Sequence, residues 1–371
     1  MRTSKPHRAW PSAARTRGVL AAAGIAGALA VGVAACGEDG GSSGGGSSGG
    51  GDKAETYTIG VAMKTQLQRR WGFDVKAMQE QAAKTGDKLI VQYANDDPSA
   101  QADQVENLLS QGIDALIIVP VDDKAAGALA DQARNQKVPV ISYDIAVRDT
   151  PIDFFVERDN QQAGAMQVEA AKKAVPKGKY ALLKGDAAVG VAQIMTKQWI
   201  DQLQGDGDIQ VVYNQWIKNF DPATAQSRAE DVLSRNNDDV NAFLSLNDGM
   251  ATGIAQALAG RNLDGKVFLS GLDADPANLE LIANGTQTMT VYTPVDDEAV
   301  AAVDAARALA AGEKPKSDAT FDNGAGQIPT ARIAVEEINQ DNLCKFVAGG
   351  LPEGWVEDPS KLKPNGKACP A

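Results

Sequence analysis

Histidine is almost missing from this sequence: His7 is the only one, and there are just three cysteines, Cys36, Cys344 and Cys369. Residues 1–18 hold Arg2, Lys5, Arg8, Arg15 and Arg17 and no acid, and residues 19–35 are uncharged and apolar. A basic start, an apolar stretch and small residues before a cleavage point make a secretory signal peptide, expected over 1–35. Its removal takes His7 with it. A mature chain without imidazole excludes Ser-His-Asp and Cys-His catalysis and any His-ligated zinc. Positive charge is scarce as well. Without the five cations of the signal, 31 basic residues face 48 acidic ones, a formal charge of −17. Such a surface repels polyanions, so nucleic acid is not expected as a partner. The apolar run is short for a membrane span and rich in Ala and Gly. The phosphate-cradling glycine spacing is missing too, since "GDAAVG" at 185–190 is not GxGxxG. "DGDI" at 206–209 lacks the remaining ligands of a calcium loop and reads as a turn. No cofactor and no metal are expected. Carboxylate chemistry, or binding without chemistry, remains.

What is present is regular. "GEDGGSSGGGSSGGGDK" after Cys36 is a flexible Gly/Ser coil, a tether over 36–55 that leaves the folded part to start near Glu55. From there, apolar runs of five to seven residues alternate with stretches of period 3.6. The runs are "YTIGVAM", "KLIVQYA", "DALIIVP", "VPVISYD", "DFFVE", "KYALLKG", "IQVVYNQ", "AFLSLND", "VFLSGLD" and "TMTVYT". Helices are expected at "WGFDVKAMQEQAAKTG", "SAQADQVENLLSQG", "NQQAGAMQVEAAKKAV", "DPATAQSRAEDVLSRN" and "DGMATGIAQALAGRN". The fold class is therefore α/β, with mostly parallel sheets covered on both faces. About 315 residues exceed one such unit, so two lobes are expected.

Ligands of open α/β sheets bind outside the carboxyl ends of the strands. The junctions there contain Lys64, Arg69, Arg70, Trp71, Asp144, Asn160, Trp216, Asn247, Asp248, Asp273 and Thr293. Carboxylates and amides that chelate hydroxyl pairs, an arginine fork and two indoles are what a neutral sugar requires. Each also has a plain reading. Asp144 and Asp273 read equally well as helix N-caps, and Trp216 as core. Asp248 is the expected cap of the helix after it, which leaves Asn247 free to face the cleft. Trp199 and Trp355 are expected to be structural, and Arg69 to be a solvated neighbour of Arg70.

Four stretches carry a family resemblance: "RRWGFD", "ISYDIAV", "NDGMATGIAQAL" and "LSGLDADPANLELIANGTQTMTVYTPV". With them the chain, from about 57 to 340, resembles the type I sugar-binding proteins of bacterial ABC importers, nearest to the D-xylose-binding branch. The resemblance implies two Rossmann-like lobes joined by a three-strand hinge that close on one monosaccharide. Crossovers would lie near Asp159, Thr293 and Phe321. The first lobe would hold 56–158 and 294–321, the second 159–293 and 322–371. By the same resemblance Arg70, Trp71 and Asp144 line the first-lobe wall, while Trp216, Asn247 and Asp273 grip the sugar from the second. The sequence departs from the family pattern at Ile145, at "AAVGVA" and at Thr293, and Lys64 and Lys184 stand where they could compensate. "VAAC" resembles a lipobox, implying a lipid on Cys36 and a tether to the outer face of the membrane. In that oxidising compartment Cys344 and Cys369 are expected to form a disulfide. The implied partners are a monosaccharide and an importer permease, and the chain is expected to be a monomer and not an enzyme. A sensor that presents its ligand to a membrane receptor, and a glycoside hydrolase using Asp144 and Asp273, are the alternatives.

Overall fold

The computed structural model describes residues 55–369. The signal peptide, the tether and Cys36 lie outside the described residues. The first sheet takes β1 (Thr58–Met63), β2 (Lys88–Tyr93), β3 (Ala115–Ile118), β4 (Val140–Tyr143) and β5 (Phe154–Arg158), all paired in parallel. α1 (Arg70–Thr85), α2 (Pro98–Ser110) and α3 (Ala126–Asn135) connect the first four. α4 (Asn160–Ala174) then carries the chain to a second sheet of β6 (Gly178–Leu183), β7 (Ile209–Gln215), β8 (Ala242–Ser245) and β9 (Phe268–Leu269). α5 (Gly190–Leu203), α6 (Pro222–Arg235), α7 (Asp248–Ala259) and α8 (Pro276–Ala283) alternate with those strands, and β10 (Met289–Tyr292) follows. A parallel bridge between Leu272 and Val291 extends the second sheet towards β10.

Local chemistry explains these elements. β3, β4, β8 and β10 are buried at every position, as strands covered on both faces must be. Asp97, Asp159, Asp221 and Asn247 each accept a backbone N–H at a helix start, and Pro98 and Pro222 occupy the first turn, where no donor is lost. α1 stops at Gly86, whose φ of 78° suits a residue without Cβ.

α9 (Val295–Ala310) returns to the first lobe and buries Ala299, Ala302, Val303 and Ala306 beside β1, β3, β4 and α1. The chain stays there through β11 (Ala319–Asp322) and β12 (Gln327–Ile333), which form a hairpin whose second strand pairs in parallel with β5. Only then does it cross to β13 (Glu336–Asn339), antiparallel to β10. The third crossing therefore lies between Ile333 and Glu336, not near Phe321, because the turn "DNGAG" folds the segment back onto the first sheet. α10 (Leu343–Gly349) and the segment to Cys369 complete a separate core of Leu279, Ile282, Ile338, Leu343, Phe346, Trp355 and Leu362. Cys344 and Cys369 are disulfide-bonded.

α6 and α7 touch where Gly253 meets the start of α6: a Cβ there would overlap the carbonyl oxygen of Pro222. Backbone cannot swing aside as a side chain tip can. Gly253→Val should therefore cost about 3 kcal/mol, read as a lower urea midpoint at unchanged slope. An unshifted midpoint would mean that the two helices separate freely.

Candidate functional site

Arg70 opens α1 at the carboxyl end of β1, and three carboxylates converge on it. Its Nη1 lies 3.0 Å from Asp144 Oδ1, its Nη2 2.7 Å from Glu298 Oε2, and its Nε 3.5 Å from Asp74 Oδ2. Asp74 also accepts the hydroxyl of the buried Tyr143. Burial alone would favour loss of the Arg70 proton, but Asp144, Asp74 and Glu298 hold it, so the guanidinium stays charged. Among the carboxylates the same burial acts unevenly. Asp144 stays below its ordinary value because Arg158 and Arg70 outweigh its desolvation. Burial raises Glu298 well above its own, and Asp74 to about 6.

Asp74 supplies a pH test. Its pKa is higher folded than the ordinary 3.8, so its contribution to stability is present below about pH 4 and is lost as pH rises through about 6. Asp74→Asn does not titrate. Between pH 4 and pH 7 the wild type should lose about 2 kcal/mol relative to this variant, measured by urea unfolding at each pH. A gap that does not move with pH would contradict this placement.

Arg158 ends β5 and joins the two lobes. Its Nη2 is 3.5 Å from Asp144 Oδ1, and its Nη1 donates to Asp273 Oδ1 at 3.2 Å. Asn160 holds it in place: the amide oxygen accepts from Arg158 Nε at 3.1 Å, and the amide nitrogen donates to Glu157, which Arg332 also binds. Asn160 thus supports Arg158 and is only 3% exposed. Neither aspartate is a helix cap. Asp144 (φ 57°) and Asp273 (φ 102°) both sit in the positive-φ region, as does Ala274 (φ 54°). Two successive non-glycine residues in that region persist only where their surroundings hold them.

Other candidates fall differently from expectation. Asn247 is the cap of α7, accepting from Met250 N at 3.1 Å, and Asp248 is not. Asp248 is fully buried and bound by Gln287, Thr290 and the Asp275 backbone. The exchange arises because only Asn247 has the extended backbone a cap needs. Trp71 is 3% exposed and lies in the first-lobe core. The Arg70 guanidinium stands 4.8 Å from its ring centre, and its N–H donates to Gln68. One ring face is therefore already taken by the arginine. At the start of α1, Trp71 N and Gly72 N donate to the carbonyls of Gln68 and Arg69. Trp216 is exposed at the end of β7, with the Lys184 ammonium 4.2 Å from its ring centre. Lys64 pairs with Asp96 at 3.5 Å. Arg69 is not merely solvated, because it binds two carbonyls of the C-terminal segment.

Arg158, Glu298 and Asp74 are the members that sequence reasoning missed. Among the described residues, Arg70 Nε, Asp74 Oδ2, Asp144 Oδ1 and Glu298 Oε1 are buried without a hydrogen-bond partner, as is Thr293 Oγ1 at the second crossing. Arg70 Nε and Asp74 Oδ2 face each other at 3.5 Å and Asp144 Oδ1 lies against two guanidiniums, so these groups are held by ion pairs.

The model of the periplasmic binding protein domain matches residues 59–314. The D-xylose-binding periplasmic protein of Escherichia coli is 34% identical over 297 residues, covering 78% of this chain and 89% of that protein. The protein of the same name in Haemophilus influenzae is 33% identical, with coverages of 78% and 88%. A carbohydrate transporter solute-binding protein from Chloroflexus aurantiacus, solved in complex with D-glucose, superposes with a TM-score of 0.72 at 27% identity, covering 81% of this chain and 99% of that one. These relatives are binding proteins rather than enzymes, which sets the hydrolase alternative aside. The chain belongs to the periplasmic binding protein family, among the type I sugar-binding proteins that serve ABC transporters outside the cytoplasmic membrane.

Proposed function

We propose that this protein is a receptor, anchored through a lipid on Cys36, that captures a neutral monosaccharide and hands it to an importer permease. A pentose such as xylose is the ligand this reading favours, supported by the identity to D-xylose-binding proteins. The observation that carries it is the Asp144–Arg158–Asp273 chain between the lobes, with Arg70 behind it. Two guanidiniums stand among Asp144, Asp273, Asp74 and Glu298, so donors and acceptors lie side by side in the cleft. Charges already paired with one another leave directed donors and acceptors rather than a free charge, which suits a polyol better than a sugar acid or an amine. Arg70 and Asp144 would grip hydroxyls from the first lobe. Asp273 and the Asn247 amide would grip them from the second, with Thr293 at the crossing, Lys64 at the rim and the open face of Trp216 against the ring. Contacts from both lobes exist together only when the lobes are closed, so the sugar shifts the population towards closure.

A thermal-shift screen of pentoses, hexoses, inositols and sugar acids tests this, because a ligand of the folded state raises the melting temperature. D-xylose should give the largest shift. A larger shift with a hexose or an inositol would replace the pentose assignment, and no shift with any neutral sugar would end the sugar reading.

A further inference from the structure

The C-terminal segment touches both lobes at one residue. Trp355 is 3% exposed, and its indole N–H donates to the carbonyl of Ala274 at 2.8 Å. Ala274 directly follows Asp273, and the pair forms the positive-φ turn described above. On the other side, Arg69 of the first lobe donates to the carbonyls of Trp355 (2.8 Å) and Gly354 (2.6 Å). Phe73 on α1 packs against the Trp355 ring at 4.8 Å between centres, and Tyr292 of β10 meets the same ring edge-on at 5.9 Å. The segment itself is fixed at both ends. Cys369 is bonded to Cys344 of α10, and the Cys369 N–H returns to Leu362.

We propose that the disulfide-bound segment around Trp355 is a clasp between the lobes that positions Asp273 and slows their opening. The turn at Asp273–Ala274 is costly for residues with a Cβ. Three hydrogen bonds hold it: Asp273 N to Val291, Ala274 N to Thr290, and Trp355 to the Ala274 carbonyl. The last comes from the C-terminal segment, which also binds Arg69 of the first lobe, while the Asp273 carboxylate is held by Arg158. Opening the cleft pulls Arg69 and Phe73 away from Trp355, so the charge-assisted bonds of Arg69 must break before the lobes part. Trp355 and Arg69 are thus positioning residues. They set the geometry and lifetime of the closed form without touching the sugar.

The test uses Arg69→Ala and Trp355→Phe, the latter keeping an aromatic ring while removing the N–H donor. Stopped-flow release of the sugar identified by the screen should be about tenfold faster in Arg69→Ala, with the association rate within about twofold. Trp355→Phe should show the same direction. A merely structural role would lower the melting temperature without dividing the two rates in this way. Release at the wild-type rate in both variants overturns the proposal. This arm rests on the sugar reading. A second arm does not: by small-angle scattering, ligand-free Arg69→Ala should have a larger radius of gyration than ligand-free wild type. If no sugar binds the wild type, the sugar reading fails and this comparison alone decides, equal radii overturning the clasp.

Discussion

Arg70→Ala should weaken binding of the cognate sugar by about 2–5 kcal/mol, or about 30- to 4,000-fold. The guanidinium is enclosed by Asp144, Glu298 and Asp74, and 12% of the side chain remains exposed. Its removal takes away a donor to the ligand. It also leaves Asp74 and Glu298 without their cation and Asp144 with Arg158 alone, so part of the loss comes from carboxylates that must take up protons or water. Arg70→Lys separates the two effects. An ammonium keeps the charge but cannot reach three carboxylates with fixed directions, so binding should remain weak while folding recovers. Calorimetry measures the affinity, and a thermal melt reports the folding. If Arg70→Ala binds within about threefold of the parent, Arg70 is only a structural ion-pair centre and the first-lobe wall lies elsewhere.

Much of this site is legible in the sequence because parallel sheets leave a plain trace. A run such as "DALIIVP" is apolar without alternation, and the polar residue at its carboxyl end faces the crevice. That logic finds Arg70, Asp144 and Asp273, whose placement depends only on where a strand stops. It fails where a residue acts through the fold. Glu298 looks like one of three acids favouring the start of α9, "VDDEAV", and nothing local says that it is the buried one. Asp74 stands four residues after Arg70 on α1, a spacing that could have paired them. Arg158 ends "DFFVER", yet the asparagine two residues later draws the eye, and only the crossing of β5 into α4 shows that the arginine spans the lobes. The third crossing is not legible because no helix separates β12 from β13, so no change of period marks where the chain leaves the first sheet. The contact of Arg69 with residues 354 and 355 lies 285 residues away along the chain, beyond any local signal.

Arg158 has the second large effect, and it should act through closure. When the lobes meet, Asp144 from the first and Asp273 from the second approach the same guanidinium. Without it, closure would bring two carboxylates together across a cleft that is losing its water, and like charges in such a place repel. Arg158→Met should therefore weaken sugar binding by about 2–5 kcal/mol and leave the sugar-bound protein with a larger radius of gyration. Adding Asp273→Asn to Arg158→Met removes the repulsion, so the double variant should bind the sugar more tightly than Arg158→Met alone. The coupling between the two positions should be at least about 1 kcal/mol, within the range found for residues in direct contact. If the losses simply add, Arg158 contributes its own hydrogen bonds to the ligand and the neutralisation of Asp144 and Asp273 is not what holds the closed lobes together.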